Sequence, residues 1–249
     1  MAATVMGTTA RKRATMTERL PALLALLRLQ TWLSPAFPSG SYSYSHGLEW
    51  AIEAGDVGDR EGLVGWLQAD LLHGSGRNEA IFFVEAWRSA ARGDSALLRE
   101  VAELAGAFRG TAELALESSQ QAAGCLATLR RVWPDDLLDW LSQALSELHS
   151  PPALSVVQAV ALARVGIPAD VAVAAFLQAQ VANLVTAGVR LVPLGQTDGQ
   201  RAIAALERTV IAATEQALLA TIDDLGSAAL MVDLASMKHE TQYTRLFRS

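Results

Sequence analysis

Residues 198–225 read DGQRAIAALERTVIAATEQALLATIDDL, and the spacing of their apolar positions decides the fold class. Ile203, Leu206 and Val210, then Leu218, Ile222 and Leu225, recur at intervals of three and four. Because 3.6 residues complete one turn, this is the period of an α-helix with one continuous buried stripe. The stretch before it, Val171 to Leu191, is the most apolar of the chain, yet it carries Gln178, Gln180, Asn183 and Arg190. A lipid-facing helix would leave those groups without partners, so the segment reads as a helix buried in a bundle rather than a membrane span.

The same period extends towards both ends, and alternating strand patterns are almost absent. Leu20, Leu23, Leu24, Leu27 and Leu29 begin a first helix, with Thr17 as its cap and Pro21 in its first turns; Pro35, Pro38 and Gly40 stop it. A second helix is expected over Tyr44 to Ala54, closed by Gly55 where a left-handed residue is needed. Asp59 caps a third, which presents Val64, Leu67 and Leu71 and is broken by His73-Gly74-Ser75-Gly76. Further helices follow at about Asn78 to Ala91, Ser95 to Arg131 with a break, Asp135 to Leu148, Ser155 to Val165, Ala169 to Leu191 and Asp198 to Leu225. Pro134, Pro151, Pro152, Pro168 and Pro193 fall between them. Gly106, Gly110, Gly124 and Gly188 mark places where two backbones approach closely, since glycine otherwise weakens a helix by about 1 kcal/mol. No linker divides the pattern. The expectation is an all-α, single-domain bundle of about nine or ten helices over residues 18–236, with a disordered extension at 1–17 and a flexible tail at 237–249.

Composition narrows the function. The chain is 51% hydrophobic with a formal net charge of −6, so it has core enough to fold and no positive field to hold a nucleic acid backbone. Lysine occurs only at Lys12 and Lys238, neither in a G-K-[ST] phosphate-binding loop, which excludes a P-loop nucleotidase. The one cysteine, Cys125 in an Ala-Ala-Gly-Cys-Leu-Ala setting, reads as a small core residue in a reducing compartment. Arg11, Lys12 and Arg13 precede Leu20 to Leu27 in the order of a secretory signal, but Arg28 and Gln30 interrupt the apolar run. A cytoplasmic protein without a membrane segment is expected.

Chemistry is sparse. The histidines at 46, 73, 149 and 239 are too scattered for a helical metal-binding pair of the H-E-x-x-H kind. If the second helix begins early, His46, Glu49 and Glu53 fall at i, i+3 and i+7 and place an imidazole and two carboxylates on one face, a set able to bind a divalent metal. A solvated surface explains the same set, and no metal site is assigned. Ser-Tyr-Ser-Tyr-Ser at 41–45 lies beside His46, but the G-x-S-x-G elbow and any strand to carry it are missing, so the loop reads as a turn and no catalytic residue or cofactor is assigned. Tyr42 and Tyr44 are either packing or contact residues. The chain ends HETQYTRLFRS at 239–249, an apolar Leu246-Phe247 pair between Arg245 and Arg248. Tyr243, Leu246 and Phe247 are spaced to share one helical face, so the tail either orders in a partner's groove or packs back on its own bundle.

Three segments in this order, SPAFPSGSYSYSHGLE at 34–49, VPLGQT at 192–197 and the tail 239–249, resemble the UreF family of urease accessory proteins. The resemblance runs from about Leu20 to the carboxyl terminus and is only general helical character between Ser118 and Val165. It implies an all-helical, non-enzymatic chaperone that dimerises, joins a UreD-type (or UreH-type) accessory protein and recruits the nickel-carrying GTPase UreG to apo-urease. GTP then binds UreG, in keeping with the missing P-loop here. By the same resemblance Tyr42, Glu49 and Arg190 sit where control of the GTPase is placed, and the tail with Tyr243, Arg245, Leu246, Phe247 and Arg248 corresponds to the part that engages the UreD-type partner. Many relatives carry glutamine at the position of His46, which argues against a required metal ligand there, and many carry lysine for Arg190, which keeps the charge but not the planar fork. Thr244 in place of serine and Phe37 in place of leucine change no expectation. The alternative from another class is a small helical protein that holds nickel itself on the face of His46.

Overall fold

The structure, a computed structural model, describes residues 16–249. Of the extension expected at 1–17, residues 1–15 lie outside the described residues, and Met16 and Thr17 belong to α1. Among them are eleven α-helices and no strand: α1 (Met16–Trp32), α2 (Leu48–Glu53), α3 (Arg60–His73), α4 (Ser75–Arg92), α5 (Ser95–Ala107), α6 (Ala112–Val132), α7 (Asp136–Leu148), α8 (Leu154–Arg164), α9 (Ala169–Leu191), α10 (Gln196–Leu219) and α11 (Leu230–His239). Short 3-10 turns lie at Ser41–Ser43 and Ile222–Asp224.

Helix α4 is the axis of the bundle, packed between α8, α5, α3, α10 and α9. Ile81, Phe82, Phe83 and Val84 are all fully buried, and Phe83 stacks on Phe176 of α9 at 4.9 Å between ring centroids. Burial on this scale is worth roughly 2 kcal/mol or more for each large side chain, so α4 and its neighbours hold the fold together. Helix α9 is the one described helix long and apolar enough to cross a membrane, but Val173, Phe176, Leu177, Val181 and Val185 are spent on the core. Its polar positions lie along the less buried side, as a bundle helix requires.

The helix starts follow from the sequence. Asp59, Asp94, Thr111 and Asp135 each accept a backbone N–H of the first turn they cap, Asp59 from Gly62 at 2.8 Å. Asp59→Ala is expected to cost about 1 kcal/mol and lower the midpoint of thermal unfolding, followed by circular dichroism, by roughly 2–4 °C. Three of the four singled-out glycines sit at close crossings: a Cβ on Gly106, Gly124 or Gly188 would come within 3 Å of Pro151, Pro38 or Leu63 respectively. Gly110 lies in the α5–α6 loop, where a Cβ would meet only Asp233 Oδ1, at 4.0 Å.

The helices depart from the expected pattern at four places. Helix α2 is short and starts at Leu48 rather than Tyr44, because His46 and Gly47 both take left-handed conformations with φ of 60° and 77°. Helix α10 stops at Leu219 although the apolar spacing runs on to Leu225, because Thr221 and Asp224 close a reciprocal cap on a separate turn. Helix α11 has no expected counterpart and brings the count to eleven: no side-chain cap announces it, and Leu230, Met231, Val232 and Leu234 show no clean stripe. Finally, α1 shows Leu20, Leu23, Leu24, Leu26 and Leu27 to solvent and meets the bundle mainly through Ala25, Leu29 and Trp32.

Candidate functional site

The residues singled out in the sequence meet at one end of the bundle, where the loop after α1, helices α2, α6 and α11 and the last residues of the chain converge. Pro35, Pro38 and Gly40 end α1, and the left-handed pair His46-Gly47 turns the chain into α2. Helix α11 crosses at Gly47 so closely that a Cβ there would lie 2.7 Å from the Ser236 nitrogen. Ser236 is held to Thr111 at the start of α6 by a 2.7 Å hydroxyl contact.

This crossing places Glu49 under the end of the chain. Its two oxygens accept the backbone N–H groups of Leu246 at 2.6 Å and Phe247 at 2.9 Å. Behind it His239, fully buried, presents Nε2 to Glu49 at 3.2 Å and Nδ1 to Glu113 at 2.6 Å. Glu113 accepts from Arg245 at 2.8 Å. Beyond Phe247 the tail runs along the 41–45 turn: Arg248 donates its backbone N–H to Ser43 O at 2.8 Å, Ser45 donates to Ser249 O at 2.6 Å, and the Ser249 hydroxyl donates to Glu117 at 2.7 Å. The Phe247 ring is only 4% exposed, and the Arg190 guanidinium lies 4.5 Å from its centroid while also donating to Tyr42 O at 3.3 Å. The tail expected to be flexible is therefore seated on its own bundle, because buried carboxylates that need donors find them in its backbone. Nor is it a helix: Phe247 points in while Tyr243 and Leu246 point out.

His46 lies before α2 and does not share a helix face with Glu49 and Glu53, so the three do not form the face that an early helix start would give. Its ring reaches Glu117 at 3.3 Å through Nδ1 and the Ser75 hydroxyl at 2.6 Å through Nε2, while Glu53 accepts from Gln242 at 2.5 Å. Ser75 passes the contact on to Asp70 at 2.7 Å. Burial alone would lower the His46 pKa, but the charge and hydrogen bond of Glu117, with Asp70 and Glu79 behind, outweigh it and push the ring up to about 9. Burial would likewise raise Glu117, and the charge and hydrogen bond of His46, with donors from Ser249 and Gln121, hold it below the usual carboxylate range. These residues line a cavity of about 400 Å³ that runs from Trp32 past His46 to Arg109, where Arg109 pairs with Glu79. Among the described residues no group of three or more His, Cys, Asp or Glu side chains is placed to hold a metal ion. Burial pushes the Cys125 thiol up to about 12, as befits a core residue.

The expected contact residues thus divide. Tyr42 is 70% exposed; Tyr44 is 2% exposed and donates to Gln120 at 2.6 Å, so one is a surface residue and the other a packing residue. Glu49 is buried beneath the tail and is not open to a partner while the tail is seated. Arg190, Tyr243, Arg245, Leu246 and Arg248 remain exposed. The sequence reading missed Glu113, Glu117 and His239, the groups that hold the tail; Glu113 and Glu117 at i and i+4 on α6 were the only legible sign. It also missed that α11 shows Leu230, Met231, Leu234 and Met237 to solvent.

Comparison with known proteins gives the family. The UreF family profile matches residues 57–207. A urease accessory protein UreF of Rhodopseudomonas palustris (strain BisB5) is 51% identical over 226 residues, covering 90% of this chain and 91% of that protein. One from strain HaA2 of the same species is 49% identical over 225 residues, and one from Bradyrhizobium diazoefficiens is 48% identical over 226, each covering 90% of this chain. With half its residues shared along nine-tenths of its length, the chain belongs to the UreF family of urease accessory proteins.

Proposed function

We propose that this chain is a non-enzymatic, cytoplasmic scaffold of urease maturation, one that joins a UreD/UreH-type protein and the GTPase UreG to apo-urease while nickel passes as cargo. The observation that carries the reading is the seated tail: it leaves Tyr243 and Leu246 exposed, in a carboxyl-terminal region where α11 also shows Leu230, Met231, Leu234 and Met237 to solvent. Apolar side chains gathered next to exposed arginines are the composition of a protein-binding surface. The family supports a urease partner for it. On this proposal the α11 and tail surface takes the UreD-type protein. Tyr42 and Arg190, which meet at the Arg190 hydrogen bond to Tyr42 O, face the GTPase and alter its action, and the scaffold works as a homodimer.

Deleting residues 243–249 tests it. Helical content measured by circular dichroism is expected to stay near that of the parent, because the α4-centred core does not use these residues. Capture of the UreD-type protein is expected to weaken by 30-fold or more, roughly the effect of removing one dominant anchor worth 2 kcal/mol. Capture at parental strength would remove the tail from the proposal.

A further inference from the structure

Residues 245–249 are held by the carboxylates of Glu49, Glu113 and Glu117, with Arg245, His239 and His46 set against them. Both ring nitrogens of His239 face carboxylate oxygens, Nε2 that of Glu49 and Nδ1 that of Glu113. When the tail is seated, Glu49, Glu113 and His239 are buried, so closing it strips water from the cluster. Dehydrating carboxylates is costly unless cations compensate them, and each compensating cation is worth more once the water has gone.

We propose that the carboxyl-terminal tail is a proton-dependent clasp, which closes over its carboxylates while His46 is a cation and loosens when His46 gives up its proton. The groups facing His46 set the sign. From α6 comes Glu117, from α3 Asp70 at 4.0 Å, from α4 the Ser75 hydroxyl and Glu79, and from the tail the Ser249 hydroxyl on the same Glu117 oxygen. Among the described residues that line this cavity, the one other cation, Arg109, is paired with Glu79. Loss of the His46 proton therefore leaves Glu117 without a counter-charge at the point where Ser249 is anchored. Glu117, Asp70 and Glu79 raise the ring above its ordinary 6.5 to about 9, so the cation is present at neutral pH and is lost as pH climbs through about 9. The clasp does not depend on which protein engages the tail.

The test uses the full chain. Leu246, whose side chain is exposed, is replaced by cysteine and carries a nitroxide label, while buried Cys125 stays unlabelled. Label mobility is recorded from pH 7 to 10.5 alongside far-ultraviolet circular dichroism. The ratio of mobile to immobile label is expected to rise at least about tenfold, centred near pH 9, with helical signal unchanged. In a His46→Gln background, which keeps an amide donor towards Glu117 but cannot titrate, the alkaline transition is expected to vanish, whether the tail then rests seated or loose. A flat profile in the parent, the same transition in His46→Gln, or loss of helical signal in step with mobility would overturn the proposal. No partner enters the measurement, so these results leave the scaffold reading to its own test.

Discussion

Glu49→Ala is expected to lower the free energy of unfolding by about 3 kcal/mol and to free the last residues of the chain, because it leaves two backbone N–H groups and a buried imidazole nitrogen without their partner. The substitution takes away both acceptors of the Leu246 and Phe247 amides and leaves His239 facing Glu113 alone in a fully buried position. Urea unfolding followed by circular dichroism reads the stability, and amide hydrogen exchange of residues 245–249 reads the tail. Glu49→Gln keeps one oxygen but sets an amide group, itself a donor, against the N–H groups or the imidazole, so an intermediate loss is expected. The pair of measurements separates two meanings of this residue. If Glu49 served a partner by direct contact, Glu49→Ala would leave stability and tail protection at parental levels; acting through the tail, it lowers both before any partner is added.

That distinction was out of reach of the sequence for a physical reason. The helical period of residues 198–225, the caps at Asp59 and the prolines between helices are local signals, each decided by a few neighbouring residues, and they gave the all-α bundle and most of its boundaries. The tail seat is decided by contacts such as Glu49 with Phe247 and His239 with Glu113, whose partners lie more than a hundred residues apart. No periodicity reports such a pairing. The motif at 34–49 marked the right neighbourhood, yet it could not tell that Tyr42 is outside, Tyr44 inside and Glu49 beneath a strap. Helix α11 escaped for a related reason: its buried side is made of Val232, Ala235, Ser236 and His239, small or polar residues that do not look like a core stripe, while its larger apolar residues face out.

The role of that small-residue side leads to the other large effect. Gly47→Ala is expected to destabilise the protein by about 3 kcal/mol or more and to loosen the whole end of the bundle around α11. Two costs add. Gly47 holds φ of 77°, a conformation that costs an alanine roughly 1 kcal/mol or more, and its new methyl would lie 2.7 Å from the Ser236 nitrogen and 2.8 Å from the Ser236 Cα. Those are backbone atoms of α11, so no rotamer change relieves the clash; the helix itself must move, and with it His239 and the seat of the tail. Gly55→Ala is the control. Gly55 holds φ of 86° but has open space where the methyl would go, so it bears only the conformational cost of about 1 kcal/mol. Thermal unfolding of the two variants, read with hydrogen exchange of residues 230–249, is expected to show a several-fold larger loss for Gly47→Ala together with faster exchange confined to α11 and the tail. Equal losses in the two variants would mean that α11 yields freely at this crossing, and that the contact between α2 and α11 does not fix the place of the tail.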